Sequence, residues 1–182
     1  MRVITGSARG RILTAVEGLD VRPTASKVKE AVFSAVQFEI EGARMLDLFC
    51  GSGQMGIEAL SRGASLCVFV DADRRSHEVT KQNLATTGLM KQARVVRMDF
   101  RDFLAGSKDS FDIAFLDPPY SRGLLQEALP SLTERMSPSG VIFCEHEKTD
   151  LLPDEVGDFE RVRQYSYGRI AVSAYRHKNK AD

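Results

Sequence analysis

Asp47-Leu48-Phe49-Cys50-Gly51-Ser52-Gly53-Gln54-Met55-Gly56 is the stretch on which the fold turns. It closes a short apolar run that starts at Met45, and it opens a helix-patterned run, Met55–Arg62, stopped by Gly63. Glycines let the backbone turn tightly and let a ligand come close to it. In an open α/β sheet, such a turn at the carboxyl end of a strand is where a nucleoside-bearing ligand sits. Gly51, Gly53 and Gly56 have the GxGxxG spacing, and Asp71 ends the next apolar run, where a carboxylate can accept both ribose hydroxyls. The turn by itself suits either NAD or S-adenosylmethionine. Asp47 tips the choice: a carboxylate before the loop repels a pyrophosphate but matches an ammonium and a sulfonium.

Outward from this turn, strand and helix patterns alternate. Leu66–Val70, Ala93–Met98, Phe111–Leu116 and Val141–Cys144 read as further buried strands. Ser76–Thr87, ended by Gly88, reads as a helix, and so does the stripe Leu124, Leu125, Ala128, Leu129, Leu132 and Met136. Strands separated by helices at these spacings give parallel βαβ units and a doubly wound α/β sheet. At the end, Phe159–Tyr165 and Arg169–Tyr175 are joined by three residues, too few for a parallel crossover, so an antiparallel hairpin is predicted. Before Met45 the chain differs. Residues 1–20 read as a small β-hairpin broken by Gly6, Gly10 and Gly18. After Arg22-Pro23-Thr24, with Thr24 as N-cap, the stripe Val28, Ala31, Val32, Ala35, Val36 predicts an amphipathic helix reaching about Ile40. Two units are expected: a basic extension, residues 1–40, and the α/β domain, residues 41–182.

Composition narrows the class. With 182 residues, 43% hydrophobic and 27% charged, the chain suits one globular domain and not a disordered or fibrous one. Its apolar runs are too short to span a bilayer, and the start carries no secretory h-region. Cys50, Cys67 and Cys144 sit in apolar runs at wide spacing, which argues against a disulfide framework or a zinc cluster. His77, His146 and His177 have no metal or triad spacing. A cytoplasmic protein without metal is expected. Formal charge is zero, yet the ends are basic: residues 1–29 hold six Lys/Arg against two acids, and residues 161–182 six against one. That suits one positive surface for an anionic partner, or solvated termini.

Asp117-Pro118-Pro119-Tyr120, directly after the strand Phe111–Leu116, is the most specific signal. Two prolines fix φ and remove two N–H donors, so the backbone presents carbonyls without competing donors. A nucleobase amino group attacks a methyl group best when both its hydrogens are held by acceptors. The Asp117 side chain and the Pro118 carbonyl can hold them, and Tyr120 can stack on the base. The bland alternative is an ordinary strand-to-helix turn. Asp99, after the third strand, can accept from an adenine amino group or can cap a following helix. Glu145-His146-Glu147 follows the fifth strand and either borders the site or, the reading preferred, is a solvated strand end.

Several segments together resemble the bacterial RsmD family. They are Gly6-Ser7-Ala8-Arg9-Gly10-Arg11-Ile12-Leu13, Arg22-Pro23-Thr24 with Val28-Lys29-Glu30-Ala31-Val32-Phe33, the glycine turn, Glu58-Ala59-Leu60-Ser61-Arg62-Gly63-Ala64 and Phe115-Leu116-Asp117-Pro118-Pro119-Tyr120. The resemblance runs from about Arg2 to about Tyr175. It implies a Rossmann-like class I methyltransferase fold: a seven-stranded, mostly parallel sheet with the C-terminal hairpin, plus the N-terminal hairpin and helix. It further implies methyl transfer from S-adenosylmethionine to the exocyclic N2 of one guanine in 16S ribosomal RNA, the guanine 966 type. By the same resemblance Asp47, Gly51 and Gly53 line the methionine end of the cofactor, Asp71 holds the ribose, and Asp99 with Phe100 frames the adenine. Asp117, Pro118, Pro119 and Tyr120 hold the guanine. Cys50 and Gln54 depart from the small residues usual in that family.

The basic extension then acquires a partner, 16S rRNA or the assembling small subunit, met by a monomer. Arg9, Arg11 and Arg22 are candidates for phosphate contacts. Lys27 and Lys29 fall in the first helical turn, where positive charge opposes the helix dipole until a phosphate binds. Three rivals stay open. An amino-methyltransferase on another RNA or DNA base fits the tetrad equally well, since the tetrad alone does not separate guanine N2 from adenine N6 or RNA from DNA. An NAD-dependent oxidoreductase explains the glycines and Asp71 but not the tetrad; a non-catalytic RNA-binding module explains the basic ends but not an intact tetrad.

Overall fold

The computed structural model describes residues 1–17 and 26–179. Helix α1 spans Ser26–Ala35, strand β1 Arg44–Leu48, α2 Gln54–Ser61, β2 Leu66–Asp71 and α3 Arg74–Thr87. They are followed by β3 Ala93–Arg97, α4 Phe100–Gly106, β4 Phe111–Leu116, α5 Leu124–Thr133, β5 Met136–Glu147, β6 Glu155–Val156, β7 Phe159–Tyr167 and β8 Ile170–His177. The strands form one sheet in the order β3-β2-β1-β4-β5-β8-β7-β6. The first five are parallel, and β8 runs antiparallel between β5 and β7. The doubly wound sheet and its closing hairpin are as the sequence predicts. Among the described residues the sheet has eight strands, because the two-residue β6 adds to β7 as an extra edge.

The inner parallel strands β1, β2 and β4 are buried on both faces, so each reads as a mostly apolar run, whereas the edge strand β3 is only half-buried. In β1, Met45 joins the face packed by α1, α2, α3 and the N-terminal segment; Leu46 and Leu48 join the face packed by α4 and α5. Asp47 is on the Met45 side, opposite Phe69 and Phe115. The strand order reverses between β1 and β4, and both strands end there in functional-looking turns, after Leu48 and after Leu116. Ligands of open α/β sheets bind at such a switch point.

Three differences from the predicted elements have physical causes. Helix α1 stops at Ala35, and its buried stripe is Val28, Lys29, Val32, Phe33. The helix is thus rotated so that Phe33, rather than Ala35, fills the core. Strand β5 starts at Met136, which pairs with Phe111 before a bulge; the apolar Met136 ends no helix and begins the strand. The N-terminal hairpin is a narrow ribbon with one bridge, Arg2 to Ile12. It is fixed mainly by α2: Ser7 N–H donates to the Ser61 carbonyl at 2.8 Å, Ala8 N–H to Ser61 Oγ at 2.9 Å, and Ile4 N–H to Glu58 at 2.8 Å. Gly6 lies so close to Ser61 that a Cβ would fall 1.6 Å from its carbonyl oxygen, and its φ is +88°. Val3, Ala8 and Leu13 bury in the same cluster as Ile57 and Leu60.

Candidate active site

The glycine turn is braced from both sides. Asp71, at the end of β2, accepts the Gly51 N–H at 2.9 Å through one carboxylate oxygen and the Asp73 N–H at 2.9 Å through the other. Thr80 of α3 donates to the Gly51 carbonyl at 2.9 Å, and Asn83 donates to the Ser52 carbonyl at 2.9 Å. Gly53 is the N-cap of α2 with φ +75°. A Cβ on Gly56 would lie 2.3 Å from the Phe69 ring, so this third glycine serves helix–strand packing. Gly51 differs: a Cβ there would meet nothing within 4 Å. Open space beside it is what a ligand needs to approach this backbone.

Asp47 lies under the turn, 2% exposed, and accepts the Gly56 N–H at 2.9 Å. Burial, reinforced by the Asp71 charge, pushes its pKa up to about 8. A buried acid of this kind ionises readily only when a cation arrives. The donor set therefore fits S-adenosylmethionine: Asp47 for the ammonium, the open backbone at Gly51 for the methionine end, and the remaining lone pairs of Asp71 for ribose hydroxyls. A pH prediction follows. In the cofactor-free fold the raised pKa contributes stability in full below the ordinary carboxylate range, and that stability is lost as pH rises through about 8. Ammonium binding reverses the preference, so cofactor affinity should rise between about pH 6 and pH 8 with proton release. Asp47→Asn should flatten both trends and weaken binding by roughly tenfold or more. Calorimetry in buffers of different ionisation enthalpy reads each effect.

On the adenine side the structure shows what else engages Asp99. Asp99 is the N-cap of α4, accepting the Arg101 N–H at 2.9 Å, and its carboxylate also pairs with the Arg101 guanidinium at 3.1 Å. The capping alternative is thus the one it fulfils here, and an adenine amino group would have to compete with Arg101. Phe100 is buried against Phe49, ring centroids 5.0 Å apart, and the Arg101 guanidinium lies 4.4 Å from its ring centroid. Phe49 holds φ +64°, costly for a bulky residue, directly before the glycine turn. Nothing in the sequence marks that strain.

The tetrad follows β4, beside β1 and β5. Pro118 is buried, Pro119 exposed, and Asp117 and Tyr120 are half-buried. The Tyr120 hydroxyl donates to Glu145 Oε1 at 3.0 Å. Glu145 and His146 are 5% and 1% exposed, which corrects the expectation of a solvated strand end. The His146 ring is held by the Glu147 carbonyl at 2.7 Å and Ser173 Oγ at 2.9 Å, a structural role. A cavity of about 30 Å³ lies between Pro118, Pro119, Tyr120, Leu125, Glu145 and Leu152, room for water but not for a purine. Cys50 is buried and its thiol is pushed up by burial, so it stays protonated.

Among the basic residues, Arg9, Arg11 and Lys27 are exposed. Arg9 lines a broad groove of about 590 Å³ with Arg2, Ile12, Ser26 and Glu30. Lys29 is a correction. It is 2% exposed, donates to the Arg2 carbonyl at 2.7 Å and sits 3.4 Å from Glu58, so its charge is spent inside the fold and is not offered to a phosphate. Arg22 and Thr24 lie outside the described residues. Among the described residues, no group of three or more His, Cys, Asp or Glu is placed to hold a metal, and no helix is long and apolar enough to cross a membrane.

The comparisons with known proteins agree with this geometry. The family model described as conserved hypothetical protein 95 matches residues 1–176. YlbH of Bacillus subtilis is 43% identical over 183 residues, covering 98% of this chain and all of that one. Ribosomal RNA small subunit methyltransferase D of Escherichia coli is 34% identical over 180 residues, covering 98% of this chain and 90% of that one. The solved structure of yhhF from Escherichia coli superposes with a TM-score of 0.85 at 34% identity, covering 97% of each chain. With the family model covering residues 1–176 and relatives 34–43% identical over nearly the whole chain, the chain belongs to the family of conserved hypothetical protein 95, the RsmD family, and has the fold of S-adenosylmethionine-dependent methyltransferases.

Proposed function

We infer that the protein methylates the exocyclic N2 of a guanine in small-subunit ribosomal RNA, with guanine 966 of 16S rRNA as the expected target. The observation that carries this reading is the placement of the tetrad at the end of β4, next to the glycine turn that follows β1. S-adenosylmethionine supplies an already activated methyl group. The work of the chain is therefore alignment. Asp47, Gly51, Gly53 and Asp71 hold the cofactor, with Phe100 as a wall and Asp99 available where Arg101 yields. Asp117 and the Pro118 carbonyl accept the two amino hydrogens, which aims the nitrogen lone pair and shifts electron density toward it. Pro119 keeps the corner rigid. Tyr120 covers the base, and its hydroxyl bond to Glu145 fixes the ring's position. The target base leaves its stack to reach this corner.

The extension, residues 1–40, is the proposed RNA-contacting unit on the 41–182 domain, through Arg9, Arg11 and Lys27, with Arg22 beside them in sequence. Replacing Arg9 and Arg11 with Ala should weaken RNA binding and lower the slope of log affinity against log salt by about 1 to 2, since each phosphate contact contributes about 0.7 to 0.9. Cofactor affinity should stay within about twofold. Filter binding at several salt concentrations tests this. A cytoplasmic monomer acting on rRNA or the assembling subunit completes the proposal. Its direct test is labelled methyl transfer to ribosomal RNA from cells lacking the enzyme, followed by nucleoside analysis. N2-methylguanine is the expected product; label in adenine or none in RNA would refute it.

A further inference from the structure

The tetrad can grip an amino group without regard to which base carries it. Guanine and adenine differ at the neighbouring ring atom. Guanine N1 bears a hydrogen, whereas adenine N1 bears a lone pair. A site that chooses guanine N2 over adenine N6 therefore needs an acceptor beside the amino-holding corner, because flipped bases are read along that edge.

Glu145 stands at such a position. Leu116 of β4 pairs with Cys144 of β5, so the next residues, Asp117 and Glu145, are neighbours at the carboxyl ends of adjacent strands. Glu145 Oε1 accepts the hydroxyl of Tyr120, the tetrad residue assigned to cover the base. Oε2 is buried and has no hydrogen-bond partner. A buried carboxylate oxygen left unsatisfied is costly, and native structures hold few of them. Glu145 lines the same cavity as Pro118, Pro119 and Tyr120. The fold maintains an acceptor next to the corner and gives it nothing to accept.

We propose that Glu145 selects guanine by accepting the N1–H of the target base on Oε2 while Asp117 and Pro118 hold the N2 amino group. This rests on the guanine-N2 reading and adds the residue that makes it guanine. Adenine in the same pose would set a lone pair against a carboxylate oxygen, so Glu145 rejects the wrong base as well as binding the right one.

The test uses small-subunit rRNA, free or reconstituted into the subunit, with guanine or 2-aminopurine at the target position. 2-Aminopurine keeps the 2-amino group but lacks the N1 hydrogen. The wild type should prefer guanine by about 100-fold or more in kcat/KM, since sites built to hydrogen-bond a group reject analogues lacking it strongly. Glu145→Gln still offers Tyr120 an acceptor but presents N–H where Oε2 stood. It should lose on guanine and gain on 2-aminopurine, so that the preference falls to about tenfold or less. The ratio of dissociation constants, measured with S-adenosylhomocysteine present and 2-aminopurine fluorescence as the reporter, should shift the same way. Tyr120→Phe should lower both substrates together and leave the ratio unchanged. Equal losses on both bases in Glu145→Gln would overturn the inference, as would a wild type indifferent to 2-aminopurine, a result that needs no variant to fold. N2-methylguanine as product with an unaltered ratio refutes Glu145 alone, whereas a different methylated nucleoside refutes the reading beneath it.

Discussion

Asp117→Ala is expected to lower methyl transfer by about 10³-fold or more while changing S-adenosylmethionine affinity by less than about threefold. The reacting nitrogen of a base amino group is weakly nucleophilic because its lone pair is delocalised into the ring. Holding both hydrogens on fixed acceptors localises the pair and points it at the methyl carbon, and this arrangement strengthens as positive charge develops on nitrogen. Losing the side-chain acceptor removes a contact that is stronger in the transition state than in the ground state, so kcat falls more than KM rises. Asp117→Asn separates two roles. It keeps a carbonyl acceptor but cannot take a proton. The alkylated amino group is a strong acid and loses its proton to water readily, so Asn should retain activity within about 30-fold of wild type. If Asn were as inactive as Ala, Asp117 would be acting as the proton acceptor instead. Isothermal titration for the cofactor and single-turnover transfer on rRNA give the two readings.

The parts of this molecule that the sequence makes legible are those where one local rule suffices. Parallel strands buried on both faces appear as apolar runs, so β1, β2, β4 and the hairpin β7–β8 are found within a residue or two. The glycine turn announces itself because glycine takes φ +75° at Gly53 without strain and leaves room for the ring that lies 2.3 Å from the Cβ position at Gly56. Illegible features depend on what a distant segment supplies. Lys29 looks like a phosphate ligand by its place in the first helical turn, yet Glu58, twenty-nine residues on, draws its charge inward. Glu145 looks like a solvated strand end until Tyr120 is seen to donate to it. Asp99 carries two compatible meanings in sequence, and its pairing with Arg101 is legible in neither. Left-handed Phe49 has no signature, since its strain is imposed by the turn and the Phe100 ring beside it. Periodicity also misplaced the helix stripe near the N-terminus, because an amphipathic pattern fixes a face only to within one residue of rotation. Phe33 won that rotation over Ala35 by its larger apolar area.

Glu58→Ala carries the largest expected effect on stability, a loss of about 3 to 5 kcal/mol. Its side chain is fully buried and joins three segments of chain. Oε2 accepts the Ile4 N–H at 2.8 Å and lies 3.4 Å from Lys29 Nζ; Oε1 accepts the Thr5 N–H at 3.0 Å and Arg62 Nε at 2.8 Å. Removing the carboxylate takes the ion-pair partner from the buried Lys29, which keeps the Arg2 carbonyl and the more distant Glu30, and strands two backbone N–H groups. For a chain of this size the loss corresponds to a fall in Tm of roughly 6 to 20 °C. The pH dependence identifies the cause. Burial already holds the Lys29 pKa below its ordinary value, with Glu58 opposing that shift. Without Glu58 the folded pKa drops further, the unfolded chain binds more protons, and stability rises with pH. The gap between variant and wild type should therefore narrow toward the ordinary lysine pKa of about 10.4. Lys29→Met in the Glu58→Ala background should recover part of the loss at neutral pH for the same reason, as a double-mutant cycle would show. The consequence for function is selective. Arg9 and Arg11 reach solvent from a ribbon that Glu58 and Ser61 pin to α2, so a variant kept folded at low temperature should lose RNA affinity while its Asp47 and Asp71 still hold the cofactor. Equal loss of both affinities would mean that Glu58 supports the glycine turn itself rather than the ribbon docked beside it.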